Sequence, residues 1–107
     1  MSATHEIVVS WFPGKGQPIR ISSIEANGKV VVTDDPQSNS PVCYDLPPPD
    51  ANNQFAIQWT ITPDVDNLQW IALVVRRNDN HAAAVPVDRI DNPGRNPWKG
   101  SKTVNAP

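Results

Sequence analysis

Arg77-Asn78-Asp79-Asn80 places a guanidinium, two amides and a carboxylate in consecutive positions of this 107-residue chain. Such groups donate to and accept from the hydroxyls of a sugar or another polar ligand. An exposed indole adds a flat apolar surface on which a sugar ring stacks. Trp98, set among Asn, Pro, Lys and Gly outside any strand pattern, reads either as that indole or as a plug at the end of the fold. Arg77, Asn78, Asp79, Asn80 and Trp98 are therefore the candidate ligand-binding set, with a carbohydrate or other polar ligand as the partner they would take. The turn at 63–67 lies at the other end of the strand that ends at Arg76, so Asp64, Asp66 and Asn67 cannot join the same small site within one chain.

Those acidic turns raise a second chemistry. Asp64, Asp66 and Asn67, if joined by Asp35 or Asp79, would offer oxygens to a hard cation. The spacing of a helix–loop–helix calcium site is absent, and Asp and Asn are ordinary turn residues because they bond their own backbone. No metal and no cofactor is expected.

Cys43, His81 and Asp79 are the residue types of a thiol nucleophile, its base and an orienting carboxylate. Nothing in their spacing brings them together. There is no Gly-x-Ser-x-Gly elbow, phosphate loop or His-Glu-x-x-His zinc motif. Cys43, between Val42 and Tyr44, reads as a small buried apolar residue. A binding protein without enzymatic activity is expected.

The elements that would position these groups are strands. Residues 54–62 place Phe55, Ile57, Trp59 and Ile61 on one side and Gln54, Gln58, Thr60 and Thr62 on the other, a period of two. A Pro63-to-Asn67 turn follows, and residues 68–76 are again rich in branched and aromatic side chains. The pair reads as a β-hairpin. Its second arm is apolar on both sides: Leu68, Trp70, Ala72 and Val74 on one, Ile71, Leu73 and Val75 on the other. One strand of a sandwich with a wet outer face cannot bury both. Ile71, Leu73 and Val75 are accordingly assigned to an interface, with a homodimer or larger homo-oligomer as the assembly. A structural or interaction subunit acting through this face is the alternative function to a lectin-like module.

Upstream, His5 to Phe12 alternates with Ile7, Val9 and Trp11 on one side and Val8 and Phe12 on the other. Residues 19–24 alternate imperfectly. Asn27-Gly28 is a strong hairpin signal, and 29–33 returns from it. Pro41 to Asp45 is a short edge strand. Leu46-Pro47-Pro48-Pro49 must be extended, because proline holds φ near −65° and lacks a donor. It serves as a stiff connection, or less simply as a rigid loop offered to a partner's groove. Val85 to Ile90 is the last expected strand, and 91–107 reads as a loop-like C-terminal segment. No window carries a helical apolar period.

About six to eight short strands separated by turn signals fit a single-domain antiparallel β-sandwich over 1–107, immunoglobulin-like in architecture only, with a small open barrel as the alternative. Twelve prolines, about double the ordinary usage, sit between the apolar runs as punctuation. A net charge of −2 supplies no basic face for nucleic acid. The single cysteine allows no internal disulfide. The start lacks the features of a signal peptide, and no apolar run is long enough for a membrane span, so a cytoplasmic protein is expected, with leaderless release as another route out.

Overall fold

The computed structural model describes residues 4–107. Alternating apolar residues form eight strands: β1 (His5–Phe12), β2 (Lys15–Ala26), β3 (Lys29–Asn39), β4 (Val42–Asp45), β5 (Gln54–Pro63), β6 (Trp70–Arg77), β7 (Ala84–Asp91) and β8 (Trp98–Asn105). Two four-stranded antiparallel sheets result, one ordered β4-β1-β6-β7 (sheet A) and the other β3-β2-β5-β8 (sheet B). They pack as a β-sandwich with no helix among the described residues, so the sandwich prevails over the barrel.

The core is the set of inward positions. Ile7, Val9 and Trp11 on β1 and Ile71, Leu73 and Val75 on β6 face Phe55, Ile57, Trp59 and Ile61 on β5 across the interior. Each fully buried aliphatic side chain contributes about 1.5–3 kcal/mol by leaving water. The imperfect alternation of 19–24 has a physical cause. A register shift between Ile21 and Ser23 inserts one residue, so Ile19 and Ile21 point inward and Ile24 and Ala26 do so again beyond the bulge. The Asn27-Gly28 hairpin forms as expected, with φ of 52° and 77°, the positive values of a type I′ turn. Asn27 Oδ1 also accepts from the Ala56 N–H at 2.8 Å, tying that turn to β5.

Three expectations are corrected. Residues 54–76 are not a hairpin: β5 pairs with β2 and β8, while β6 pairs with β1 and β7, and residues 64–69 arch from sheet B to sheet A. A period of two reports which side of a strand is buried, not which strand lies beside it. Ile71, Leu73 and Val75 are 0% exposed and belong to the core, so they form no interface. The outward side of β6 is the other one, Trp70, Ala72 and Val74. Lastly, 91–107 is not loop throughout, because Trp98–Asn105 is the edge strand of sheet B.

Sheet B is closed at that edge by an indole pair. Trp98 packs edge-on against Trp59, ring centroids 5.4 Å apart. Gly100 is the cross-strand neighbour of Trp59, and a Cβ there would overlap the Trp59 ring. The Trp59 N–H is buried with no acceptor among the described residues.

Candidate functional site

The ligand set expected from the sequence does not assemble. β8 begins at Trp98, opposite Ile61 and near the end of the sandwich where β6 starts, whereas 78–80 follow the far end of β6. Eight residues of strand separate those ends, about 25 Å at roughly 3.3 Å per residue. Trp98 is 7% exposed and acts as a core plug. The polar residues at the far end are occupied. Arg77 holds Asp79 through two hydrogen bonds of 2.8 and 2.9 Å, which lowers the Asp79 pKa and raises that of Arg77. Asn78 donates to Thr4 Oγ1 at 2.7 Å, and Asn80 Oδ1 accepts from the Ala82 N–H. These are turn and strand-end contacts, made before any ligand arrives.

The same end holds a cleft of about 570 Å³, walled by Leu46 and Pro47–Pro49 and floored by His5, Asn53, Arg77 and Pro107. Two of its polar side chains are again partnered. His5 Nε2 lies 2.9 Å from the Pro107 carbonyl, its ring standing edge-on to Phe55, and Arg77 is held by Asp79. The other expected constellations also fall apart. Cys43 is exposed rather than buried, and its sulfur accepts from Arg76 Nη2 at 3.3 Å. Arg76 is paired with Glu6 at 2.6 Å, with His81 3.6 Å from the same carboxylate. Asp35 accepts from the Tyr44 hydroxyl at 2.6 Å and from Gln37 at 2.9 Å, a latch between the β3 and β4 edges of the two sheets. Those bonds lower the Asp35 pKa, while burial and the adjacent carboxylate raise that of Tyr44. Among the described residues no three His, Cys, Asp or Glu side chains gather as metal ligands would.

A different site emerges at the opposite end of sheet A. Phe12 and Trp70 are directly opposed residues on β1 and β6, and both point outward. Their rings lie nearly parallel, 15° apart with centroids separated by 6.3 Å. Arg89, on the neighbouring β7, sits 5.0 Å from the Trp70 ring centre, and Asp91 orients that guanidinium from 2.9 Å. This cation–π contact is worth about 0.5–1 kcal/mol at an exposed site. The result is a row, Phe12–Trp70–Arg89, in which Trp70 is half-buried and Phe12 remains 48% exposed.

Beside Phe12 lies a cleft of about 450 Å³ bounded by Trp11, Phe12, Gly14, Lys15, Asn39 and Ser40. Two sheet-crossing connections build it, β1 to β2 and β3 to β4, each turning at a cis prolyl bond, Phe12–Pro13 and Ser40–Pro41. They are cross-braced. The Ser40 N–H donates to the Gly14 carbonyl at 2.8 Å, the Trp11 N–H to Ser40 Oγ at 3.0 Å, and the Gly16 N–H to Asn39 Oδ1 at 3.2 Å. Gly14 permits the approach, since a Cβ there would come within 2.7 Å of the Ser40 Cβ. The Trp11 indole N–H is satisfied by the Gln17 carbonyl at 2.9 Å. Alternation puts Phe12 and Trp70 on the sides of their strands away from Trp11 and Ile71, but nothing in the chain pairs residues so far apart.

Fold and corner together define the class: an all-β, two-sheet sandwich carrying a small cleft with an aromatic wall. Set against protein-family models, curated proteins and solved structures, the chain matches none of them. Among the described residues no helix is long and apolar enough to cross a membrane.

Proposed function

We propose that this protein is a non-enzymatic, lectin-like binding module whose contact site is the Phe12 corner of sheet A. The observation that carries this reading is an exposed phenyl ring lying parallel to Trp70, which Arg89 covers in turn, at the rim of a cleft that also holds Lys15, Asn39 and Ser40. Aromatic side chains are normally turned inward where they can be, and a pre-positioned exposed one offers contact area at little conformational cost. A saccharide has the matching chemistry, an apolar ring face to stack and hydroxyls to bond. Titration of the chain with a panel of oligosaccharides, followed by tryptophan fluorescence through Trp70, tests the reading. Binding that weakens at least tenfold in Phe12→Ala is the expected result. A panel that gives no binding, or binding indifferent to Phe12→Ala, overturns it.

A second reading has its own support. Ala72 and Val74 on the outer face of sheet A are half-buried and continuous with Trp70, with Val8 buried beside them. Such a face suits self-association or docking into a larger assembly, with these residues replacing Ile71, Leu73 and Val75 as the contact.

A further inference from the structure

The hydrogen-bonding groups around Phe12 are unequal in kind. Asn39 Oδ1 is taken by the Gly16 N–H, and because that partner is a donor the assignment of the amide is fixed, leaving the Asn39 NH₂ without an acceptor among the described residues. Ser40 Oγ already accepts from the Trp11 N–H, and its own hydroxyl hydrogen has no acceptor among them either. The Gly14 carbonyl is taken by the Ser40 N–H. Lys15, opposite Asn39 in the β2–β3 register, forms no ion pair among the described residues, and none of the six that bound the cleft carries a carboxylate. Each of those oxygens has already accepted one bond, whereas the amide NH₂, the hydroxyl hydrogen and the ammonium have given none, so the unspent capacity is mainly donors, one of them charged.

A neutral sugar needs acceptors as well as donors, because each hydroxyl both gives and takes a hydrogen. A carboxylate or sulfate only accepts, and its bonds to charged donors are roughly twice as strong as neutral ones. We propose that the cleft selects an acidic saccharide, with its ring on Phe12 and its anionic group among Lys15, Asn39 and Ser40. This rests on the saccharide-binding reading of the same corner and specifies the ligand within it. The net charge of −2 works against polyanions in general. Recognition must then be local, and must fade as salt screens Lys15.

The test compares three probes on the full chain by calorimetry at low and physiological salt: an oligogalacturonate as carboxylated ligand, a heparin hexasaccharide as sulfated ligand, and maltohexaose as neutral ligand. At least one acidic probe is expected to bind about tenfold or more tightly than maltohexaose, with the difference shrinking in salt. Lys15→Gln should remove most of that preference, and Asn39→Asp, which keeps the acceptor for Gly16, should remove it too. Phe12→Ala should weaken every probe. Both cleft substitutions are at exposed positions, and unchanged thermal melting checks the fold. If maltohexaose binds as tightly as either acidic probe, or if Lys15→Gln keeps the preference, acid selectivity is overturned and saccharide binding stands. If no probe binds, or if binding is indifferent to Phe12→Ala, both are overturned.

Discussion

The two outer faces of the sandwich are built from the same kind of strand and finished differently. On sheet B the outward residues of the central strands are Arg20, Ser23 and Glu25 on β2 and Gln58, Thr60 and Thr62 on β5, continued by Lys99, Ser101 and Thr103 on β8. Ala56, Pro36 and the exposed Val30 interrupt a polar surface. On sheet A the corresponding central positions are Val8, Ala72, Val74, Phe12 and Trp70, interrupted only by Ser10, with charge displaced to either end as Glu6–Arg76 and Arg89–Asp91. Both sheets bury one side in the same core, so stability does not require the difference. The polar face is what an antiparallel sheet facing water needs. The apolar one departs from that pattern, and it is the face on which the proposed contacts rest.

Substitutions one residue apart on β6 separate these roles most sharply. Leu73→Glu would put an unpaired charge among side chains that are 0% exposed. We expect loss of the folded state in urea or thermal melts, since even Leu→Ala at such a site costs about 2–5 kcal/mol. Val74→Glu, pointing the other way, should leave the melt within about 1 kcal/mol of the parent. A folded Leu73→Glu would mean that the inner and outer sides of β6 are assigned the wrong way round.

Next in size is Gly100→Ala on the inner side of β8. Its Cβ would displace the Trp59 ring, and overpacking of this kind costs about 1–3 kcal/mol. A shift in the denaturation midpoint with altered Trp fluorescence is the check. The outward neighbours Lys99→Ala and Ser101→Ala should do neither.

The comparison of faces themselves is tested by light scattering at micromolar concentration. Under the assembly reading, wild type scatters above monomer mass and Val74→Glu returns it to monomer, while Thr60→Glu on sheet B leaves the mass unchanged. A monomeric wild type, or equal effects from the two substitutions, removes the distinction between the faces as far as self-association goes.

The smallest expected effect is at the sheet edges. Tyr44→Phe removes the hydroxyl that Asp35 accepts and should cost about 1 kcal/mol. Its pH signature has two limbs. Asp35 ionises more easily folded than free, so its contribution is present above its usual value of 3.8 and is lost as pH falls through the lowered one. Tyr44 keeps its proton more firmly when folded, so its contribution is present below its usual value of 10.0 and is lost as pH climbs toward the raised one. The stability difference between wild type and Tyr44→Phe should therefore plateau across neutral pH and narrow at both extremes.

Much of the fold is legible in the order of residues alone. The period of two in 5–12 and 54–62 assigns Ile7, Val9, Trp11, Phe55, Ile57, Trp59 and Ile61 to one side of each strand, and all of them lie in the core. Asn27-Gly28 marks its turn because the turn type demands those residues. The failures share a cause. Alternation is a property of one strand, while pairing is a property of two, so 54–76 reads as a hairpin and is an arch. Residues 70–75 are apolar on both sides, so alternation offers no way to choose which side faces out, and the choice of Ile71, Leu73 and Val75 is the wrong one. β8 is hidden because only Trp98 and Val104 of its inward positions are large and apolar, Gly100 yielding its space to Trp59. The Phe12 corner is out of reach for a different reason: its cleft exists only where residues 11–15 meet 39–40, and its aromatic row only where β1 meets β6.

The route of the chain has a kinetic side. Of the connections between successive strands, only β2–β3 and β6–β7 stay within a sheet, and each of the others carries the chain across to the opposite one. Those two hairpins are the only pieces that can zip up locally. β1 must find β6 from the far half of the sequence, and β5 must wait for β8. Loop closure has to be met before such pairings return anything. Folding should accordingly be slow for a domain of this length, in the range of milliseconds to seconds typical of non-local β topologies. The Asn27-Gly28 hairpin is the natural starting fragment, while the long-range pairing of β8 with β5 is what covers Trp59.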